Sequence, residues 1–191
     1  ITNETARDRV FQMRAGSDAI VVGIGTVLAD DPQLTCRLPG LFEHSPVRVV
    51  IDEKLILPLS TSVVATVRET PTWVFTSQKP SQIAEEILQE KGCKVFRVDE
   101  SDDRLDLQQI LKVLAEQGIT RLMVEGGPIL AASFVESDLV DEAVLLHGVK
   151  SVGAGGIDPL EGMPLTALTG RLTSLGSEKL DVDTIETFVR V

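Results

Sequence analysis

The residues best placed for chemistry stand in one short run, Glu125-Gly126-Gly127-Pro128, directly after an apolar stretch that predicts a strand. An acidic residue at the carboxyl end of a strand lies where open α/β sheets bind ligands. Two glycines let the backbone come close to a ligand, and Pro128 suits the first position of a helix. Such a helix directs free amides and its positive dipole end at the same spot, which favours a pyrophosphate. An ordinary turn from strand to helix would use the same residues.

A second cluster, Asp30-Asp31-Pro32 followed by Leu34, Thr35 and Arg37, offers two carboxylates and a guanidinium. Adjacent carboxylates in a loop are usually solvated turn formers, whereas the arginine could hold a phosphate through paired hydrogen bonds. Arg14, in the last turn of the first predicted helix, is a further candidate cation. A solvated side chain that complements the helix dipole explains Arg14 equally well.

Two familiar kinds of site are missing from the sequence. Neither the two cysteines nor the two histidines show the Cys-x-x-Cys or His-x-x-x-His spacing of zinc sites, so we expect no metal. Gly23-Ile24-Gly25 follows a predicted strand, but Leu28 occupies the sixth position of the pattern, where the dinucleotide fingerprint needs Gly or Ala. The usual form of that fingerprint is therefore absent.

Composition limits the class of protein. The 191 residues are 43% hydrophobic and 25% charged, which is typical of one globular domain, and we expect 1–191 to form it. The net charge of −11 repels nucleic-acid backbones and anionic lipids, so we expect neither partner. No apolar run reaches the ~18 residues of a membrane span, and the chain begins without a signal-peptide pattern. A cytoplasmic location is the resulting expectation.

The elements that must position these residues alternate along the chain. Apolar runs predict strands at 19–22, 47–51, 72–75, 94–98, 121–125 and 142–147. Amphipathic runs with caps predict helices at 4–16, 80–92, 106–118 and 128–136, with a short helical turn near 25–26. The last two predicted strands, 171–177 and 184–191, have no helix between them. The pattern indicates an α/β domain with a mostly parallel sheet and an antiparallel C-terminal hairpin.

Three blocks of the sequence resemble the riboflavin-biosynthesis pyrimidine reductases. The first runs through residues 1–7, 13–15 and 18–37, and it includes Thr26-Val27-Leu28-Ala29-Asp30-Asp31-Pro32-Gln33-Leu34-Thr35-Cys36-Arg37. Pro46-Val47-Arg48-Val49-Val50-Ile51-Asp52 and Val124-Glu125-Gly126-Gly127-Pro128 follow in the family's order and spacing. In many bacteria this reductase is the C-terminal half of a protein whose N-terminal half is a zinc deaminase. No deaminase zinc motif is present here, so the resemblance is to the reductase half.

The resemblance implies a three-layer α/β/α fold like that of dihydrofolate reductase, with NADPH as hydride donor. It further implies that the ribosyl group of 5-amino-6-(5-phosphoribosylamino)uracil is reduced to a ribityl chain, and that the protein is a homodimer. The implied substrate-binding residues are Arg14, Leu34, Arg37 and Glu125, and the implied cofactor-binding residues are Thr26, Asp30, Glu53, Gly127, Pro128, Ile129, Leu130, Ala131, Ala132 and Ser133. Catalysis would involve Glu125, as the best candidate for proton handling, together with Asp30.

Three departures from the family's pattern stand out. Glu53 replaces a serine, and an acid there would either repel an adenosine 2′-phosphate or bond a ribose hydroxyl, so NADPH and NADH both stay open. Val149-Lys150 replaces a Pro-Lys pair. The family's preceding strand, with its Asp-Gly-Lys stretch and tryptophan, would lie upstream of Ile1.

Two other functions fit the same residues. One is a nucleotide-binding module without catalysis, and the other is a related reductase that acts on a different pyrimidine or a pterin. Retention of Arg14, Asp30, Arg37 and Glu125 together favours an enzyme over the module.

Overall fold

The computed structural model describes residues 2–101 and 104–191, and Ile1, where the predicted domain begins, lies outside them. The chain divides into two compact units. The sheet unit comprises Met13–Gly127, and the hairpin unit comprises residues 2–12 with Pro128–Val191. One boundary falls inside the first helix and the other falls directly after the Gly-Gly turn. The expectation of a single domain over 1–191 stays a prediction.

The sheet unit contains seven strands and four complete helices in its described residues. Chain order after α1 (Glu4–Ala15) is β1 (Ala19–Gly23), α2 (Ile24–Asp30), β2 (Val47–Ile51), α3 (Ser62–Ala65), β3 (Thr72–Thr76), α4 (Gln82–Lys91), β4 (Lys94–Arg97), β5 (Glu100–Ser101), β6 (Arg104–Leu105), α5 (Leu107–Glu116) and β7 (Leu122–Val124). Five of the strands form a parallel sheet in the order β4-β3-β2-β1-β7, while β5 and β6 pair with each other. The predicted alternation of strands and helices is confirmed.

The three central strands, β1, β2 and β3, are buried on both faces, which explains why they read as continuous apolar runs, whereas the edge strands β4 and β7 are partly exposed. On one face, alternate strand residues pack with α2, α3 and α4 in a cluster that includes Ile20, Val22, Val27, Val50, Val63, Val64, Val74 and Leu88. On the other face, Phe75 stacks on Phe96 with ring centroids 5.1 Å apart, and Trp73 meets Phe96 edge-on at 5.7 Å. The core therefore holds the ends of the strands in fixed positions.

The helix ends follow the predicted caps, with one difference. The Asp106 carboxylate accepts the N–H groups of Gln108 and Gln109 at 2.9 and 3.1 Å, as an N-cap does. The other half of the capping box is not formed, because the Gln109 side chain accepts the N–H of Asp99 at 2.6 Å instead. At the end of α4, Gly92 adopts a φ of 108°, which only glycine adopts without strain.

The hairpin unit holds the start of α1, then α6 (Pro128–Glu136), β8 (Glu142–His147), α7 (Thr166–Thr169), β9 (Thr173–Leu180) and β10 (Asp183–Val189). The predicted C-terminal hairpin is confirmed, since β9 and β10 are antiparallel. β10 also pairs with β8, so these strands form a three-stranded sheet of their own in the order β8-β10-β9. Asn3 caps α1 by accepting the N–H of Ala6 at 2.7 Å and donates to the carbonyl of Leu180.

Short elements account for what the sequence pattern missed. α3 and α7 have four residues each, and two 3-10 turns, Phe42–His44 and Gly153–Gly155, have three. Such lengths are too short for a hydrophobic period to register. None of the helices found in the described ranges combines the length and the apolar character that crossing a membrane requires.

Candidate functional site

The carboxyl ends of the parallel strands lie along one side of the sheet, which we call the carboxyl edge. β1 leads into α2, which carries Thr26, β2 leads into Asp52 and Glu53, and β7 leads into Glu125. β1 lies between β2 and β7, so the chain order reverses beside β1. Open α/β sheets bind their ligands at such a reversal, outside the carboxyl ends of the strands.

Arg14 and Glu125 form a two-pronged ion pair within the sheet unit. Arg14 Nε lies 2.9 Å from Glu125 Oε1, and Arg14 Nη2 lies 2.5 Å from Glu125 Oε2. Only 12% and 21% of the two side chains are exposed, so solvent screens the pair weakly. Arg14 Nη1 also donates to the Thr35 carbonyl at 3.0 Å. One guanidinium thus joins the end of α1, the loop after α2 and the end of β7.

The Thr35 hydroxyl lies in the same loop. Its oxygen is buried and forms no hydrogen bond within the described residues. A buried hydroxyl without a partner costs free energy of about 1–3 kcal/mol unless water or a ligand bonds it. Thr35 belongs to the second predicted cluster but was given no role there, and its contact with Arg14 could not be read from the sequence.

Thr26 and Gly127 meet where the strand order reverses. The Gly127 N–H donates to Thr26 Oγ1 at 3.2 Å, which ties the start of α2 to the Gly-Gly turn. Near this hydrogen bond, at the end of β1, a Cβ atom placed on Gly23 or on Gly25 would have no other atom within 4 Å. The backbone at the end of β1 is therefore open to a ligand, and two segments predicted to bind the cofactor are neighbours.

The two adjacent aspartates have different surroundings. Asp30 is the exposed last residue of α2. The Asp31 carboxylate accepts the N–H and the hydroxyl of Ser62, at 2.6 and 2.9 Å, and so caps the start of α3. Asp31 is therefore structural, and Asp30 is the acid left available to a ligand.

The predicted substrate loop contains one buried and one exposed candidate. The side chain of Leu34 is 2% exposed and belongs to the core cluster. Its φ of 57° is unusual for leucine and bends the loop there. Arg37 is exposed three residues later. A ligand at this loop would therefore meet the Arg37 side chain and only the backbone of Leu34.

A buried arginine that sequence reasoning missed supports this loop. Arg48 lies in β2 with no exposed surface, and burial lowers the pKa of its guanidinium to about 10. It donates to the carbonyls of Gln33 at 3.3 Å and Val63 at 3.1 Å, and to Thr66 Oγ1 at 2.8 Å. It also donates to the carbonyl of Thr70. Arg48 thus holds the residue before Leu34 against the α3 region.

The loop after β2 is built around Asp52. This side chain has no exposed surface, and Asp52 Oδ2 accepts the N–H of Leu57 at 2.7 Å. Burial raises the pKa of Asp52 above its usual range, although backbone N–H groups of residues 54–57 oppose the shift. The carbonyl of the next residue, Glu53, accepts the Thr76 hydroxyl at 3.0 Å and the Ser77 N–H at 3.2 Å. The backbone of Glu53 is therefore held from two sides.

Residues 128–133 form the first turns of α6 in the hairpin unit. Leu130 and Ala132 are buried there, whereas Ile129 is exposed. The Ser133 hydroxyl donates to the carbonyl of Ile129 at 2.9 Å. The amides at the start of a helix lack partners within the helix, and a ligand phosphate is one group that satisfies them. Within 2–101 and 104–191, no group of acidic, histidine and cysteine side chains has the arrangement of a metal site.

An open parallel sheet with a polar, partly unsatisfied carboxyl edge at a reversal of strand order defines an α/β protein with a ligand site at that edge. Comparison with known families gives the particular family. Residues 1–185 match the RibD C-terminal domain, and the chain belongs to that family.

Two curated relatives illustrate the likeness. The riboflavin biosynthesis protein RibD of Bacillus amyloliquefaciens is 36% identical over 187 residues, which cover 93% of this chain and 49% of that protein. The 2,5-diamino-6-ribosylamino-4(3H)-pyrimidinone 5′-phosphate reductase of Archaeoglobus fulgidus is 37% identical over 75% of this chain and 67% of its own length. The chain thus spans about half the length of the RibD proteins that it matches.

A solved structure of Acinetobacter baumannii RibD superposes on the whole of this chain and on 52% of its own, with a TM-score of 0.83 and 26% sequence identity. This likeness confirms the expected fold, that of the dihydrofolate-reductase-like reductases.

Proposed function

We propose that this chain is a reductase of riboflavin biosynthesis that acts on a phosphorylated ribosylaminopyrimidine. The substrate implied by the family is 5-amino-6-(5-phosphoribosylamino)uracil, and its ribosyl group is converted to a ribityl chain. The observation that carries the proposal is the Arg14–Glu125 pair, which stands beside Thr26 and Gly127 at the carboxyl edge. Family membership supplies the reaction class, and this geometry supplies residues suited to it.

The residues at the carboxyl edge fit a nicotinamide dinucleotide. Gly23 and Gly25 leave open space beside the end of β1, and Thr26 offers a hydroxyl there. The resemblance assigns Gly127 and the residues up to Ser133 to the pyrophosphate, and Asp30 would lie toward the nicotinamide. Because the Gly127 N–H is bonded to Thr26 and Pro128 has no N–H, the helix amides after Pro128 would supply the donors. When bound, the reduced dinucleotide, NADPH in the family, supplies a hydride to C1′ of the opened sugar.

The protein has three tasks in this reaction. It aligns the donor carbon with C1′, anchors the 5′-phosphate, and supplies a proton as the furanose opens to an imine. Arg37 is the exposed cation of the substrate loop and would bind the phosphate. The Glu125 carboxylate, oriented by Arg14, would accept hydrogen bonds from the pyrimidine and hold the proton that moves to the substrate.

A second substrate has a specific observation in its favour. The Archaeoglobus relative is named for the 2,5-diamino pyrimidinone, the form that keeps an amino group where the uracil has an oxygen. The same site geometry serves both, because the reacting ribosyl carbon is common to them. The experiment therefore offers both compounds to the protein.

The test is oxidation of the reduced dinucleotide, followed by its absorbance at ~340 nm, with each pyrimidine in turn. Loss of absorbance with either compound, and a ribityl product, is the expected result. Binding of dinucleotide and pyrimidine without oxidation would instead establish the non-catalytic nucleotide-binding module. Oxidation only with another pyrimidine or a pterin would establish a related reductase.

The assembly is part of the same proposal. The match to half of each RibD protein supports fusion to a zinc deaminase domain in the whole protein. The resemblance implies a homodimer, which sedimentation of the purified protein tests, and the cytoplasmic location stays an expectation from the sequence.

A further inference from the structure

The Glu53 carboxylate directly follows β2 at the carboxyl edge. No cation and no hydrogen-bond donor pairs with it among residues 2–101 and 104–191, and the neighbouring Lys54 side chain is exposed. Glu53 is half-buried, so water screens its charge less than on an open surface. A ligand that passes the end of β2 therefore meets a negative charge.

The position of this charge is fixed by the loop that carries it. The Glu53 carbonyl accepts the Thr76 hydroxyl and the Ser77 N–H, which belong to the end of β3. On the other side, the buried Asp52 carboxylate holds the Leu57 N–H and so closes the loop. Because both sides are held, the backbone of Glu53 cannot move away from a ligand at low cost.

The order of the strands places Glu53 near the far end of a dinucleotide. β7 and β2 flank β1, so the end of β2 lies two strand spacings, about 10 Å, from the Gly-Gly turn that follows β7. Dinucleotide-binding sheets also place the first strand between the second strand and a later one, although their glycine-rich turn follows the first strand, and here it follows β7. In them, an acidic residue after the second strand bonds the adenosine ribose 2′-hydroxyl, whereas an arginine accommodates a 2′-phosphate.

Resting on the reductase function proposed above, we propose that Glu53 selects the cofactor by accepting a hydrogen bond from the ribose 2′-hydroxyl of NADH and repelling the 2′-phosphate of NADPH. The phosphate carries a charge of about −1.5 to −2, so its approach to a fixed carboxylate is unfavourable. NADH then binds this protein at least as tightly as NADPH does, unlike the preference that the family resemblance implies.

The experiment compares dissociation constants for NADH and NADPH by calorimetry, without substrate, in the wild type and in Glu53→Gln. The variant keeps the shape and removes the charge. We expect NADPH to bind at least about tenfold more tightly to Glu53→Gln than to the wild type, with no gain for NADH. Glu90→Gln on α4 is the matched control, since it removes an exposed acid elsewhere in the sheet unit and should leave both constants unchanged.

A wild type that prefers NADPH about tenfold, with the ratio unchanged in Glu53→Gln, would overturn the role of Glu53 and leave the reductase function standing. If the wild type prefers NADPH and only Lys54→Ala removes that preference, Lys54 rather than Glu53 selects the cofactor, and the proposal is wrong. If neither dinucleotide binds the wild type, both this inference and the proposed reductase function are wrong. A second measurement compares the dissociation constants of adenosine 2′,5′-bisphosphate and adenosine 5′-phosphate. These two compounds differ only in the 2′-phosphate and so test the adenosine end of the site alone.

Discussion

The two ends of the parallel sheet use acidic residues in opposite ways. At the amino end, the Asp18 carboxylate accepts the N–H of Thr120, its hydroxyl and the N–H of Arg121, all at 2.7–2.8 Å. These bonds, those from Thr120 foremost, hold the pKa of Asp18 below its usual range. At the carboxyl end, Asp52 Oδ1 and the Thr35 hydroxyl are buried without hydrogen-bond partners, and Glu53 has no counter-ion, in the part of the chain that the structure describes.

The difference separates stability from binding. A polar group that makes several hydrogen bonds within the protein, as Asp18 Oδ2 does, stabilises the fold and has less left to offer a ligand. A buried polar group without a hydrogen-bond partner destabilises the folded protein, and a ligand that supplies the missing bond removes that cost. The amino end therefore joins β1 to the start of β7, and the carboxyl end is the candidate site.

The largest expected effect is at the carboxyl end. If Glu125 moves a proton, Glu125→Gln keeps the shape and lowers kcat by roughly 100-fold or more, because the amide cannot take the proton. Steady-state kinetics with the pyrimidine substrate measure it. Thermal unfolding of the variant is the control for folding: Tm should fall, because Arg14 loses its counter-ion, while the protein stays folded at the assay temperature. A normal kcat with a raised KM alone would give Glu125 a binding role.

A smaller effect is expected at the substrate loop. Arg37→Ala removes a charged contact to the 5′-phosphate, which is worth on the order of 1.5–3 kcal/mol, so KM should rise at least ~10-fold. Dinucleotide affinity should stay near the wild-type value, and titration with the reduced dinucleotide checks this. An unchanged KM would exclude Arg37 from the site.

At the amino end, stability should change and activity should not. Asp18→Ala deletes three hydrogen bonds at an exposed position, and a net cost of about 1 kcal/mol lowers Tm by about 2–4 °C in a chain of this size. Differential scanning calorimetry gives the shift. A variant that kept its Tm but lost turnover would contradict the separation of the two ends.

The smallest effect is a pair of opposite pH dependences. Burial raises the pKa of Asp52 above the ordinary 3.8, so its favourable contribution exists at low pH and is lost as pH rises through the folded value. Asp18 has a lowered pKa, so its contribution exists above 3.8 and is lost as pH falls through the folded value.

Two differences in Tm are measured at several pH values between acidic and neutral. The first is the wild type minus Asp52→Asn, and the second is the wild type minus Asp18→Asn. The first difference should fall as pH rises, and the second should grow. Slopes of the same sign would show that the two carboxylates do not differ in the way proposed.

The local pattern of apolar and capping residues was sufficient to predict most of the helices and strands. The apolar runs of β1 to β4 and the caps at Asn3 and Asp106 predict elements that the structure contains, because each depends on neighbours within a few residues. The short helices α3 and α7 were not predicted, because four residues are too few to show a helical period. The structural role of Arg48 was not predicted either, because a single charge within Val47–Ile51 is typical of a surface residue until the surrounding carbonyls are known.

The order of the strands and helices, the Gly-Gly turn before α6, and the acids and arginines that the chemistry would need can all be read from the amino-acid sequence. Which of these residues meet depends on the folded chain. Arg14 and Glu125 are 111 positions apart and Asp31 caps a helix 31 positions away, and no periodicity links such distances along a chain. Strand order brings these segments together, and strand order depends on how the faces of the sheet are covered, which is a property of the whole fold.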